Sequence, residues 1–302
     1  MDLSIIIPTY NEKENIRILL EKIYKEFKEN QIKGEVIIVD DNSPDKTGEL
    51  VESLKNYYHN LSIIHRKGKL GLSSAVLDGV KVAESEVLGV MDADLSHPTE
   101  KIGEMLNSIK SEEMDIVIGS RYVDKGKIQG WGVLRKIVSK GATLLARIFT
   151  SVKDPMTGYF MIKKKCIENK KLDPKGFKIL LEILIKADYK KVKEIPITFM
   201  NRTNGKSKAG LKETIYYLQN LGGYLKYKKE IIYQFIKFGV VGLTGVGINL
   251  LILYLLTDLA GVYYIISAII AFLVAMTSNF VFNKIWSFKE KLNKDFSKKL
   301  GQ

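Results

Sequence analysis

Cysteine is almost missing from this chain: Cys166 is the one thiol among 302 residues. No intrachain disulfide framework can form, and nothing points to an oxidising compartment. With no Cys/His partner set beside it, Cys166 reads as a structural thiol. Histidine is scarce as well, at three residues. His59 and His65 lie in a charged region and read as structural or exposed, while His97, next to Pro98, reads as a turn residue or a support for its neighbours. No P-loop G-x-x-x-x-G-K-[ST] occurs, and the first apolar run ends in Pro-Thr-Tyr-Asn-Glu rather than a G-x-G-x-x-G turn. Ordinary ATPase and dinucleotide-binding readings therefore lose support. The opening "LSIIIPTYNE" is too short for a signal peptide and lacks a cleavage pattern, so the N-terminus is expected to start in the cytoplasm.

Acidic residues are outnumbered. Against 34 Asp+Glu stand 47 Lys+Arg, a formal net charge of +13, which admits nucleic acid, an anionic membrane surface or phosphorylated small molecules as partners. No recognised nucleic-acid module accompanies the lysines, so no nucleic-acid partner is expected. With 46% hydrophobic and 27% charged residues, the composition is that of a folded protein.

Up to about residue 230, short Val/Ile-rich runs alternate with charged, helix-like stretches: "SIIIPT", then 12–30, "EVIIVDD", then 45–58, "LSIIHR", then 72–84, "EVLGVMDAD". Continuous apolar strands alternating with helices predict an α/β domain whose sheet is largely parallel and covered on both faces. Beyond that point charge disappears. Residues 238–257 and 259–283 contain no charged side chain, and each run is long enough for a bilayer core, which needs roughly 20 apolar residues. The reading is a domain at 1–229 followed by a two-helix transmembrane region at 230–302, with spans at about 238–257 and 262–283. Lysines crowd both flanks, 226–237 and 284–299, whereas the connection "TDLAGVYY" has no Lys or Arg. The positive-inside rule then puts the α/β domain, both termini and a basic tail in the cytoplasm of a cell-membrane protein. Gly239, Gly242, Gly245 and Gly247 allow close helix contact, and with it a homo-oligomer.

Three polar sets end successive predicted strands: "PTYNE" at 8–12, "DDNSPD" at 40–45 and "DADLSH" at 92–97. Open parallel sheets bind ligands beyond the carboxyl ends of their strands, so the three are expected to face one crevice. Asp92 and Asp94, one residue apart, suit a hard divalent cation that keeps waters and bridges substrate phosphates.

Taken in order, "SIIIPTYNE", "VIIVDDNSPDKT", "GLSSAVLDG", "VMDADLSHP", "GSRYV" and "FMNRTNGKSK" resemble family 2 glycosyltransferases of the GT-A fold. Within that family the chain looks like the dolichol-phosphate mannose synthases and their glucosyl relatives, over roughly residues 1–215. The tail resembles the first half of GtrA-like membrane modules, which usually carry four spans where two are found here. The resemblance implies a doubly wound, mostly parallel sheet and a nucleotide-sugar pocket lined by Pro8, Tyr10, Glu12, Val39 and Asp41. Asp92, Ala93 and Asp94 would meet the ribose, the diphosphate and an Mg²⁺ or Mn²⁺ ion. Relatives often have Gln where Ser96 stands, so Ser96 is expected to contact the metal through water. Arg202 and Lys208 would neutralise the departing nucleoside diphosphate. Arg121, Arg135 and Ser139 would hold a lipid phosphate.

Arg135 and Ser139 share a helix face by spacing. The stretches 130–149 and 210–229 mix apolar and basic residues as interfacial helices do. The implied reaction is attack by the phosphate oxygen of dolichyl or polyprenyl phosphate on a nucleotide sugar, GDP-mannose in first place, with inversion. Asp94, Arg121, Arg202 and Lys208 would carry it. An anionic phosphate oxygen needs no strong general base. Three rivals stand beside this reading. A UDP-glucose:polyprenyl-phosphate glucosyltransferase shares nearly the same framework. A processive polysaccharide synthase would be expected to have Q-x-x-R-W, which Gln129-Gly130-Trp131 does not fit. A non-enzymatic lipid-carrier-binding or scaffolding protein would have no need of the paired acids.

Overall fold

The computed structural model describes residues 1–173, 178–201, 211–225 and 229–287. They divide between two compact units, Met1–Tyr224 and Leu225–Gln302.

In the first unit, seven strands form one sheet: β1 (Leu3–Thr9), β2 (Gly34–Asp40), β3 (Leu61–His65), β4 (Val87–Val90), β5 (Ile116–Ser120), β7 (Phe160–Lys163) and β8 (Val192–Pro196). Their order is β3-β2-β1-β4-β7-β5-β8. Every neighbouring pair is parallel except those of β7, which runs antiparallel to β4 and β5. Two short strands, β6 (Lys127–Ile128) and β9 (Thr198–Phe199), pair in parallel apart from that sheet.

The Val/Ile runs form strands because both of their faces are covered. Ile5, Ile7, Val36 and Ile38 point to a core shared with Ile16, Leu19 and Ile23 of α1 (Lys13–Glu29), Val51 of α2 (Thr47–Leu54) and Met105 of α4 (Ile102–Lys110). The alternate residues Ile6, Ile37, Val39 and Leu88 meet Val76 of α3 (Leu72–Val82) and Ile183 of α6 (Ile179–Lys186). This is the period of two expected of a strand, with an apolar helix face on each side. Helix α3 comes especially near the sheet. A Cβ at Gly79 would stand 2.5 Å from Ile6 Cγ2, so only glycine fits there.

Topology decides where a ligand can bind. From β1 the sheet grows one way to β2 and β3, and the other way to β4, so a crevice opens between the carboxyl ends of β1 and β4. The antiparallel β7 then brings the residues that precede it to this same end of the sheet, beside those that follow β4 and β5. Helix α5 (Val133–Ala146) leaves Val133, Ile137, Val138 and Leu144 exposed. Helix α7 (Leu211–Leu225) is tied to it by Tyr217, whose hydroxyl donates to Ala142 O at 2.6 Å, and to α6 by a Tyr224–Glu182 hydrogen bond of 3.3 Å.

The second unit contains α8 (Lys229–Tyr254) and α9 (Tyr264–Phe282), each continued by a π-helical turn. Its two apolar stretches, Phe235–Leu259 and Tyr264–Ser287, are 25 and 24 residues long. At 1.5 Å per residue each reaches about 36 Å, enough for a hydrocarbon core of about 30 Å. Large apolar side chains such as Leu243, Phe272 and Phe280 are exposed, while Ser267, Ala271 and Ala275, spaced by four, are buried. Small residues inside and large ones outside is the pattern of a helix pair made for lipid.

Candidate active site

The loops after β1 and β2 are laced together. Thr9 O accepts from the Asp41 amide at 3.0 Å. The amides of Asn11, Glu12 and Lys13 donate to Ser43 Oγ, Thr47 Oγ1 and Asp45 Oδ2 at 2.9, 3.0 and 3.1 Å. Asp40 holds its own turn, accepting from the Ser43 hydroxyl and from Thr9 Oγ1. The next acid, Asp41, is buried and gripped by a group that sequence reasoning missed. Arg66 Nη1 lies 2.5 Å from Asp41 Oδ1, and the Gly71 amide donates to Oδ2 at 2.8 Å. Arg66 also reaches Asp78 at 3.1 Å and Ser74 at 2.9 Å. Each carboxylate oxygen has two lone pairs, so Asp41 keeps acceptor capacity for a ligand. Pro8, Tyr10 and Glu12 are partly exposed at this end, and Lys69 Nζ sits 4.2 Å above the Tyr10 ring. Val39 differs: its side chain is fully buried in the core, so only its main chain can line a pocket.

After β4 the chain folds back on itself. Leu95 takes a left-handed conformation, φ 61°, which turns the segment so that Ser96 and His97 meet the two acids. Ser96 is 0% exposed, and its Oγ donates to Asp94 Oδ1 at 2.5 Å while its amide approaches the same oxygen at 3.2 Å. The serine hydroxyl therefore serves to aim Asp94, itself only 3% exposed. The Asp92 amide donates to His97 Nδ1 at 3.1 Å. Burial holds the imidazole below its usual range, against the pull of Asp92 and Asp94. The Asp92 carboxylate is the accessible one of the pair. Room for it comes from Gly158, where a Cβ would stand 3.0 and 3.1 Å from the two Asp92 oxygens.

Arg121, which follows β5, is 8% exposed and locked to Asp154, which is 0% exposed. Nε and Nη2 donate to the two Asp154 oxygens, each at 2.7 Å, and the Arg121 amide adds a third bond at 2.9 Å. Burial opposes this charge, yet the Asp154 hydrogen bonds carry the guanidinium above its ordinary pKa. The expected anion ligand is thus already charge-compensated. Asp154 had given no signal in the sequence, because its partner is 33 residues away and meets it only through β7. Arg135, by contrast, is exposed on α5, with its guanidinium 4.0 Å over the Trp131 ring. Ser139 shares a 2.9 Å hydrogen bond with Tyr122. Arg202 and Lys208 lie outside the described residues.

Aromatic rings connect the two sets. His97 stacks on Tyr159 and meets the edge of Phe199, with centroids at 5.1 and 5.5 Å. Phe199 meets Trp131 at 5.5 Å, and Arg121 lies 5.8 Å from the Trp131 ring.

A divalent cation fits the carboxylate turn. Among the described residues, no three His, Cys, Asp or Glu side chains converge on one point. Two carboxylates at a crevice, with space kept by Gly158, offer hard oxygen donors but no complete cage. That is the arrangement expected for a cation that retains waters and shares a substrate's phosphates.

Residues 4–169 match glycosyl transferase family 2, and residues 237–301 match the GtrA/DPMS transmembrane domain. This chain is a family 2 glycosyltransferase. The second match, with two helices long enough to cross a bilayer, makes this glycosyltransferase a membrane protein. It is 42% identical to the dolichol-phosphate mannosyltransferase of Pyrococcus furiosus over 297 residues, 96% of this chain and 82% of the relative. Among solved structures it is similar to S. aureus TarS in complex with UDP-GlcNAc, with TM-score 0.56 and 19% identity, covering 78% of this chain and 72% of that one. A second likeness is to glucosyl-3-phosphoglycerate synthase of Mycobacterium tuberculosis, solved with Mn²⁺, UDP-glucose and phosphoglyceric acid. There the TM-score is 0.51 and identity 15%, over 74% of this chain and 79% of the other. These two likenesses give the GT-A fold of the glycosyltransferase.

Proposed function

We propose that the chain transfers mannose from GDP-mannose to dolichyl or polyprenyl phosphate, at the cytoplasmic face of the cell membrane, with inversion at the anomeric carbon. The observation that carries the reading is the carboxylate turn, Asp92 to His97, at the point where the sheet order reverses. The 42% identity to a named dolichol-phosphate mannosyltransferase along nearly the whole chain supports the choice of sugar and acceptor.

Pro8, Tyr10, Glu12 and the main chain at Val39 line the nucleotide side, and Asp41, aimed by Arg66, accepts from the base. Asp92, Ala93 and Asp94 face the ribose and diphosphate, with Asp92 and Asp94 holding Mg²⁺ or Mn²⁺ and Ser96 steadying Asp94. A cation bound there supplies positive charge against the leaving diphosphate. Arg202 and Lys208 add to that charge in this reading. Arg135, Ser139 and Arg121 receive the lipid phosphate. That phosphate is anionic at neutral pH, so positioning and charge stabilisation suffice without a strong base. The exposed apolar residues of α5 support its lying in the interface, where a lipid-borne phosphate arrives. Lysines on both flanks of the hairpin support cytoplasmic ends. The glycines of α8 support close helix contact, and through it a homo-oligomer.

The test offers membranes holding the protein a panel of labelled GDP- and UDP-sugars with dolichyl phosphate. Label is expected in lipid from GDP-mannose alone. Equal or better transfer from UDP-glucose would replace the donor, and transfer from none would favour a lipid-carrier-binding role.

A further inference from the structure

The imidazole of His97 has one nitrogen occupied and one idle. Because Nδ1 accepts the Asp92 amide at 3.1 Å, the proton belongs on Nε2. That Nε2 is buried without a hydrogen-bond partner, 3.8 Å from Asp92 Oδ2. Buried polar groups in native proteins are nearly always satisfied, so an orphan N–H this close to a carboxylate needs a reason. The ring cannot wander, since Tyr159 stacks on one face and Phe199 meets its edge. Gly158 also stands close to this carboxylate, since a Cβ there would come within 3.0 and 3.1 Å of the two Asp92 oxygens.

We propose that His97 is the positioning residue for the Asp92 carboxylate, its Nε2–H closing on Oδ2 when the turn takes up a cation and a nucleoside diphosphate. The ring nitrogens hold both the backbone and the side chain of one acid, so its place relative to Asp94 is set from a single rigid mount. Through Phe199 and Trp131 that mount is continuous with the rings over which Arg121 and Arg135 lie. The inference rests on reading the turn as a cation and nucleotide site.

Binding of Mn²⁺–GDP to the full-length protein in nanodiscs, followed by calorimetry and by the spin-resonance signal of bound Mn²⁺, tests it. His97→Phe keeps the stack and removes both nitrogens. His97→Asn keeps an acceptor near the Asp92 amide and removes the distant donor. His97→Gln restores a donor near the Nε2 position. The first two are expected to raise the Kd at least tenfold and to broaden the Mn²⁺ signal, and His97→Gln to recover most of the affinity. In an Asp92→Asn background the same changes should cost much less, a coupling that loss of packing alone would not produce. Wild-type affinity in both His97→Phe and His97→Asn would overturn the role of His97. If His97→Phe fails to fold, His97→Asn decides. Failure of the wild-type protein itself to bind Mn²⁺–GDP would overturn the donor-site reading, and this inference with it.

Discussion

Asp94 and Arg135 carry charge in opposite settings. Asp94 is 3% exposed, one oxygen held by the hydroxyl and amide of Ser96, in a turn where the Asp92 amide also bonds to His97. Arg135 is exposed on a helix whose apolar neighbours Val133, Ile137 and Val138 also face outward. The first is a preorganised site, with its geometry set before a ligand arrives, as stabilisation of a leaving diphosphate requires. The second is an exposed surface that mixes basic and apolar side chains, the composition of an interfacial helix. Arg121 belongs with the first kind although it was grouped with the second, because its charge is answered by Asp154.

The comparison breaks most sharply at that ion pair. Asp154→Ala leaves Arg121 buried and uncompensated, and the expected cost is about 3–5 kcal/mol of stability, read from denaturant or thermal unfolding of the first unit. A near-normal midpoint would mean that Arg121 does not depend on Asp154 for compensation, and would move it to the exposed side of the comparison. Next comes Asp94→Ala. Transfer should fall by about 10²–10³ while the protein stays in membranes, since one preorganised electrostatic partner is lost. Undiminished transfer would mean that the turn is not a cation site. Gly158→Ala sharpens the same side: a methyl against the Asp92 oxygens should weaken Mn²⁺–GDP binding roughly tenfold, about 1.4 kcal/mol, with little change in folding. Arg135→Ala should have the smallest effect, a rise of roughly fivefold in KM for dolichyl phosphate, about 1 kcal/mol for a solvent-exposed charge. The KM for GDP-mannose should not move, and a change there instead would merge the two regions.

Much of this architecture was legible in the sequence, for local reasons. Uninterrupted Val/Ile runs mark strands covered on both faces, and uncharged runs of some twenty residues mark the hairpin, because each pattern is written in consecutive residues. The three polar strand ends could be expected in one crevice because a parallel sheet aligns the carboxyl ends of its strands. What escaped was nonlocal. The antiparallel β7, and with it Asp154 and Gly158, depends on how the chain returns to the sheet. Arg66 meets Asp41 only because β2 and β3 are paired in register, Asp40 beside His65. Val39 was expected at the nucleotide by resemblance, yet the period of two turns its side chain into the core. The left-handed Leu95, which brings the Ser96 hydroxyl onto Asp94, is a reversal that no composition signal announces.

The central claim is that a single displacement joins the anomeric carbon of mannose to a lipid phosphate oxygen. Its most direct test is the product formed when the full-length protein in dolichyl-phosphate vesicles is given GDP-mannose labelled at the anomeric carbon, with the linkage read by NMR. The account predicts a β-linked dolichyl phosphomannose with GDP released in equal amount. An α-linked product, or GDP release without labelled lipid, would contradict it.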